Sequence, residues 1–159
     1  KSFAPHDLVL NGGYLYSAYV GVSVSGLMVV NTSGPTVVST VTVPGVLISN
    51  GVAVKDNYAY LTAEFLSKLH IFDVSNPSAP SLIESRELGV QTADVVVVGD
   101  HLYVAARNAG VIAYSLSDPA NPVELSRSST GTTISRLFVN DSYVFGASDS
   151  DGVWMLVKP

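Results

Sequence analysis

A small group of charged and polar residues could bind or transform a ligand, and it falls mainly between predicted strands. The group comprises His6, Asp7, Glu64, Asp94, Arg107, Asn108 and Arg136. Charged residues make up only 13% of the chain, so their concentration in corresponding loops predicts a polar face to which a ligand could bind. The competing explanation is that polar residues collect in loops without any binding role.

No catalytic arrangement is evident among these residues. His6 beside Asp7 could form an acid–base pair, yet no Gly-x-Ser-x-Gly turn supplies a nucleophile for it. His70 and His101 fall on predicted strands, and neither has a second histidine at the spacing of a metal site. The chain contains no cysteine, which excludes disulfides, thiol nucleophiles and zinc fingers. We therefore expect neither a catalytic centre nor a cofactor.

The segment 148–152, SDSDG, resembles an acidic cation-binding loop. Calcium is bound by several oxygens at alternating positions, with a glycine for the turn. Asp149 and Asp151 supply two carboxylates, but no glutamate follows at the far end of the loop. The favoured interpretation is a solvated turn. Asp149 and Asp151 are weak candidates for metal ligands.

The elements that position these residues repeat along the chain. Apolar runs begin at Gly26, Lys68, Gly110 and Gly152, each 42 residues after the last. Aromatic residues recur in the preceding run, at Tyr16, Tyr60, Tyr103 and Phe145. Periods of about 40–45 residues with several short strands per unit are typical of β-propeller blades. Turn residues between the runs, with no helical periodicity, predict an all-β domain.

The strongest predicted strand of each unit is apolar on both of its faces. In the second unit Leu69 and Ile71 point to one face and Phe72 points to the other. A strand that is buried on both faces belongs to a sheet packed between two neighbours. The residues that we expect to be buried for this reason are Leu27, Val29, Leu69, Ile71, Phe72, Val111, Ile112, Val153 and Trp154.

The second unit, NYAYLTA (57–63) followed by LHIFDVSNPSAPSLIES (69–85), resembles the LVIVD-repeat family of β-propellers. The third unit keeps LYVAA and SDPANPVELS, the first has NTSGP in place of DVSNP, and the last stops before that motif. The resemblance implies one propeller-type domain over 1–159, with units at about 8–50, 51–93, 94–135 and 136–159. It implies four blades, the fourth without its outer strand, and no catalytic residues.

The composition of the chain argues against nucleic-acid binding and against a membrane-spanning protein. Hydrophobic residues make up 47% of the chain, enough for a packed core, and the net charge is −5 with scattered basic residues. Nucleic-acid binding needs a concentrated basic face, so it is not expected. The chain contains no run of 18 apolar residues, so the sequence predicts no membrane-spanning helix. Low charge favours an extracellular or cell-surface protein, and the start at Lys1 without Met suggests a processed or excised product.

Two further features concern the surface. Asn31 and Asn140 lie in N-x-Ser/Thr sequons and are candidate glycosylation sites. The last unit ends in its third strand, which predicts an open edge at Val153, Trp154, Met155 and Leu156. An unpaired hydrophobic edge promotes association, and the segment 1–4 is short for covering it. We expect the partner to be protein, either copies of this chain or the remainder of a larger propeller.

Three functions remain open from the sequence. The first is a non-enzymatic extracellular or cell-surface module that acts by protein–protein interaction or self-assembly. The second is a module that binds a glycan or another small ligand at the polar face. The third is a propeller-type hydrolase or lyase, which would need an acid–base pair at the polar face.

Overall fold

The structure, a computed structural model, describes residues 4–21, 24–45, 49–64 and 66–158. Its regular elements are β-strands throughout. Across these ranges there is no helix, and therefore none that could span a membrane. The prediction of an all-β chain is confirmed.

The strands form four antiparallel sheets that follow one another along the chain. Sheet 1 holds β1 (Ala4–Asn11), β2 (Tyr14–Val20), β3 (Ser25–Asn31) and β4 (Thr36–Val43). Sheet 2 holds β5 (Ser49–Lys55), β6 (Tyr58–Ala63), β7 (Lys68–Asp73) and β8 (Ser81–Glu87). Sheet 3 holds β9 (Asp94–Val98), β10 (His101–Ala105), β11 (Val111–Ser115) and β12 (Val123–Ser128). Sheet 4 holds β13 (Ile134–Val139), β14 (Tyr143–Ser148) and β15 (Gly152–Val157).

Each sheet is a simple meander, because strands that follow one another within a sheet are hydrogen-bonded neighbours. Short turns with local hydrogen bonds make this possible. After β7, Asp73 Oδ1 accepts from the Ser75 amide at 2.8 Å and Asn76 Oδ1 accepts from the Ser78 amide at 3.1 Å. Such turns, in which a side chain accepts from the backbone two residues on, lead the chain to β8 at the outer edge of the sheet.

The sheets pack face to face in chain order. Sheet 1 packs on sheet 2, sheet 2 on sheet 3, and sheet 3 on sheet 4, with the first strands of adjacent sheets, β1, β5, β9 and β13, side by side. β1 and β13 are the first strands of the two outermost sheets, and in the described part of the chain they do not pack side by side in this way. The four sheets therefore form an open array with two ends.

Each sheet has a forward face, which packs on the next sheet, and a rear face, which packs on the sheet before it. On sheet 1 the forward face presents Tyr16 and Leu27, and they meet Leu61 and Phe72 from the rear face of sheet 2. The same repeat positions are used at the next two joints. The forward tyrosines are Tyr16, Tyr60 and Tyr103, and all three are buried.

The burial of the predicted core depends on these joints. The residues Leu27, Val29, Leu69, Ile71, Phe72, Val111 and Ile112 are at most 4% exposed, as predicted. The prediction was wrong for Val153, which is 71% exposed, and for Trp154, which is 37% exposed. Both lie on β15, the last strand of sheet 4. Val153 belongs to the forward face of that sheet, and no further sheet covers it within the described residues.

Candidate functional site

A polar pocket lies where one repeat position from each of the four units converges. The four equivalent residues are His6, Asn50, Ala93 and Ser135. Together with Glu64, Arg107 and Arg136 they line a cavity of about 240 Å³, which we call the axial pocket. Sequence reasoning missed Asn50 and Ser135 because their residue types differ from that of His6. Their common repeat position was the signal that could have found them.

Glu64 and Arg107 form the main ion pair of the axial pocket. They also occupy equivalent positions, each just after the second strand of its unit, and their side chains link sheet 2 to sheet 3. The other carboxylate oxygen of Glu64 accepts from Asn50 Nδ2 at 3.1 Å. One donor therefore holds each carboxylate oxygen of Glu64, which fixes the position of this side chain.

The backbone of Arg107 is unusual. Its φ of 39° lies in the left-handed region, which a residue with a side chain seldom adopts. The conformation is stabilised by two hydrogen bonds, because the Arg107 carbonyl accepts from the amides of Gly110 at 3.0 Å and Ile134 at 3.1 Å. The buried Arg107 Nε has no hydrogen-bond partner among the described residues.

Two aspartates, the half-buried Asp7 and the buried Asp94, join neighbouring sheets next to this pocket. Asp7 Oδ2 accepts from the Val52 amide at 2.9 Å, and Asp94 Oδ2 accepts from the Leu137 amide at 2.8 Å. Each bond runs from the first strand of one sheet to the first strand of the next. Both aspartates line a second cavity of about 300 Å³ between the first strands.

The electrostatic setting of Asp94 reflects this structural role. Burial raises the pKa of its carboxyl group, while the amide bonds from Leu137 and Val95 act in the opposite direction. Arg136 Nη1 lies 3.9 Å from Asp94 Oδ1 on the exposed side. Asp94 thus acts as a clamp between sheets 3 and 4.

The structure therefore divides the predicted polar face into three parts. His6, Glu64, Arg107 and Arg136 meet in the axial pocket, and Asp7 and Asp94 lie in the cavity beside it. Asn108 is elsewhere: it is exposed, accepts a hydrogen bond from the Thr133 hydroxyl, and lines a separate cavity of about 370 Å³. The three parts contain no nucleophile held by a base among the described residues.

The metal candidates and the other two histidines lie in structural positions. No group of three or more ligating side chains occurs in the part of the chain described, and the Asp151 carboxylate instead accepts from Ser150 Oγ at 2.8 Å. His70 is buried and shares a 2.8 Å hydrogen bond with Ser85 Oγ. His101 stacks on Tyr103 with ring centroids 6.2 Å apart. These contacts support the strand positions that the sequence assigned to both histidines.

Both ends of the array present apolar side chains to solvent. The open forward face of sheet 4 carries Phe138, Tyr143, Phe145, Val153, Met155 and Val157. Its aromatic rings associate, since the centroids of Phe138 and Tyr143 each lie 6.1 Å from that of Phe145. The open rear face of sheet 1 carries Leu8, Leu10, Leu15, Met28, Val30 and Val37. We call these surfaces the open forward face and the open rear face.

The predicted edge coincides with β15. This strand pairs with β14 on one side and has no partner on the other side among the described residues. The segment 1–4 was expected to be too short to cover this edge. Its described residue, Ala4, pairs with Val20 in sheet 1, and residues 1–3 lie outside the described residues. Val153, Trp154 and Met155 are exposed, and Leu156 is half-buried against sheet 3.

The sequon asparagines lie at strand ends, since Asn31 is the last residue of β3 and Asn140 directly follows β13. Asn31 Oδ1 accepts from the Ser33 amide at 2.8 Å, and Asn140 Oδ1 accepts from the Ser142 amide at 3.0 Å. Asn140 is exposed and Asn31 is half-buried. Their glycosylation stays a prediction.

The family of the chain follows from its repeats. The model of the LVIVD repeat matches residues 5–42, 48–87 and 89–130. The chain belongs to the LVIVD-repeat family. The three matches coincide with sheets 1, 2 and 3, and the shorter sheet 4 follows them. No curated protein matches this LVIVD-repeat chain.

Solved structures are similar to it in fold. A protein from Lactobacillus plantarum has a TM-score of 0.82 at 19% identity, over 98% of this chain and 52% of its own. The periplasmic gluconolactonase PpgL of Pseudomonas aeruginosa has a TM-score of 0.79 at 16% identity, and the match covers 99% of this chain and 50% of the gluconolactonase. The computationally designed protein Ika4 has a TM-score of 0.74 at 10% identity, and the match covers 98% of this chain and 92% of Ika4. This chain thus spans about half the length of the two natural proteins, and such identities show the fold alone.

Proposed function

We propose that this chain is a non-enzymatic β-propeller module of four blades that acts by protein–protein contact at the outside of a cell or on its surface. The observation that carries the proposal is the pair of open faces. Repeat positions that are buried or half-buried at the internal joints are exposed at the two ends of the array. Large exposed apolar surfaces on a folded protein are characteristic of interaction sites.

The chemistry of the axial pocket and of the cavity beside it supports a non-enzymatic role. Asp7, Asp94 and Glu64 are each engaged by backbone amides or side-chain donors. These hydrogen bonds give each of the three carboxylates a structural role. The low content of charged residues, 13%, is the feature that favours an extracellular location.

The contact surfaces can be tested by measuring mass in solution. The wild-type chain is expected to exceed its monomer mass of 16.7 kDa at micromolar concentration. Met155→Glu places a charge on the open forward face and is expected to return the protein to the monomer. Val123→Glu is a matched control, because Val123 is 59% exposed and Met155 58%, but Val123 lies on the outer strand β12.

Light scattering and sedimentation velocity would measure these masses, and circular dichroism would verify that each variant is folded. A wild-type chain that stays at 16.7 kDa up to the highest soluble concentration would contradict the proposal. So would equal effects of the two substitutions, because association would then not depend on the open forward face.

A second candidate function is the binding of a small ligand in the axial pocket. The observation that favours it is the buried Arg107 Nε, a donor without a partner among the described residues, on the wall of a cavity lined by polar side chains. Calorimetric titration with neutral and acidic sugars would test it. Binding that is lost in Arg107→Ala but kept in Asn108→Ala is the expected result, and no binding by the wild type would exclude these ligands.

A further inference from the structure

We infer that the surface covering each open face is a second copy of this chain, docked head to tail, so that two chains close one ring of eight sheets. The inference rests on the proposed function and specifies the partner and the geometry of its contact. In each of the two joints of the pair, the open forward face of one chain would meet the open rear face of the other.

The first argument is the equivalence of the joints. The three internal joints all place the forward face of one sheet on the rear face of the next. Leu8 on the open rear face is 52% exposed, whereas its equivalents Val52 and Val95 are 3% and 2% exposed. Met155 on the open forward face is likewise exposed, whereas its equivalent Ile71 is fully buried. One chain therefore carries both halves of a fourth joint of the same kind.

The second argument concerns symmetry. A forward face complements a rear face but has no structural reason to complement another forward face. Contacts between two different surfaces produce rings when the rotation closes and filaments when it does not. The chain spans about half the length of the natural proteins of similar fold. A second copy supplies the same number of sheets again, so closure by two chains is the expected outcome.

The third argument is the charge at the first strands. Asp94 and Arg136 occupy one repeat position on sheets 3 and 4, and their charged groups lie 3.9 Å apart across that joint. Asp7 occupies the same position on sheet 1. In the head-to-tail pair, Arg136 of one chain would face Asp7 of the other. Opposite charges would therefore meet at the new joint, with exposed apolar surface around them.

The absence of cysteine allows the contact to be tested by disulfide trapping. At the internal joints Asp7 lies against Val52 and Asp94 against Leu137. The equivalent pair at the new joint is Arg136 of one chain and Leu8 of the other. Disulfides need Cα atoms about 4.4–6.8 Å apart, so Arg136→Cys and Leu8→Cys are expected to cross-link between chains under mild oxidation.

The experiment compares each single variant, the mixture of both, and the double variant on non-reducing gels and by mass spectrometry. The mixture is expected to give a covalent pair of twice 16.7 kDa as its main product, while each single variant alone stays monomeric on the gel. The double variant is expected to stop at the same pair, because two disulfides close the ring. A mixture of Leu8→Cys with Val123→Cys controls for random collision.

Other outcomes would overturn the inference in distinguishable ways. Cross-linking of a single variant with itself would indicate contact between like faces. A ladder of higher masses from the double variant would indicate a filament. Wild-type association by light scattering without cross-linking in the mixture would indicate a different surface. If the wild type is a monomer in solution, the proposed function fails together with the inference.

Discussion

The hydroxyl of Tyr60 donates a 2.7 Å hydrogen bond to the carbonyl oxygen of Pro119, which ties the forward face of sheet 2 to the turn before the outer strand of sheet 3. Tyr103 is the repeat equivalent of Tyr60 on sheet 3 and is equally buried. Its hydroxyl has no partner within the described residues. Among the described residues sheet 4 has three strands, and they provide no turn carbonyl equivalent to that of Pro119.

This pair of tyrosines yields a prediction about stability. Tyr60→Phe removes the donor and leaves the Pro119 carbonyl unpaired, so it is expected to lower the free energy of unfolding by about 1 kcal/mol or more. Tyr103→Phe removes a buried hydroxyl that has no partner, so it is expected to be neutral or slightly stabilising. Denaturant unfolding of both variants would measure the difference. Equal losses in the two variants would contradict the structural distinction between them.

His70 predicts how stability depends on pH. Burial lowers the pKa of its imidazole from 6.5 to about 4, and the nearby Lys68 acts in the same direction. Between these two pH values the unfolded chain binds the proton and the folded chain does not. The neutral His70 imidazole of the folded chain therefore costs no stability above pH 6.5. As the pH falls from 6.5 towards 4, the folded chain loses stability relative to the unfolded chain, which takes up the proton.

The size of the effect follows from the pKa difference. Since a tenfold change in an equilibrium corresponds to about 1.4 kcal/mol, protonation of His70 is expected to cost roughly 3 kcal/mol at pH 4. His70→Met is a suitable comparison, because Met28 occupies the same repeat position in sheet 1. Urea unfolding at several pH values would measure the difference between the wild type and this variant. The idea fails if that difference is the same at pH 7 and pH 4.

The aspartate clamps predict a second effect on stability. Asp94→Ala leaves the Leu137 amide without its acceptor, and hydrogen bonds to a charged group are worth about 1.5–3 kcal/mol. We expect a loss of that size, measured by denaturant unfolding. Asp7→Ala is expected to behave similarly through the Val52 amide. Asp149→Ala serves as the control, because Asp149 is exposed and a loss within about 0.5 kcal/mol is expected there. A similar loss in all three variants would argue against the clamps.

The sequence predicted the sheets well because the signals were local. The apolar run at Leu69–Ile71 indicated a strand with two buried faces, and the Asn and Asp turns indicated where each strand ends. Exposure of Val153 was not predictable in this way, because periodicity shows which faces are apolar but not whether another sheet covers them. The axial pocket was predicted in part from charged residues. The left-handed backbone of Arg107 was not predicted, since one of the two hydrogen bonds that stabilise it comes from the distant amide of Ile134.

Gly51 carries the last prediction. It holds the repeat position of Asp7, Asp94 and Arg136, yet a Cβ atom there would lie 2.8 Å from the Val95 backbone nitrogen and 3.1 Å from the Asp94 Cα. Both neighbours are backbone atoms of β9, so relief would require sheets 2 and 3 to move apart. Overpacking of this kind typically costs about 1–3 kcal/mol, and we expect Gly51→Ala to lose that much.

Gly34 provides the matched control for this substitution. A Cβ atom there would meet nothing within 4 Å, and its backbone is outside the left-handed region. Gly34→Ala is therefore expected to be neutral or to stabilise by about 0.4–1 kcal/mol, because alanine restricts the unfolded chain. Thermal and denaturant unfolding of the two variants would compare them directly. If Gly51→Ala is as stable as Gly34→Ala, the close approach of the first strands of sheets 2 and 3 is not maintained in solution.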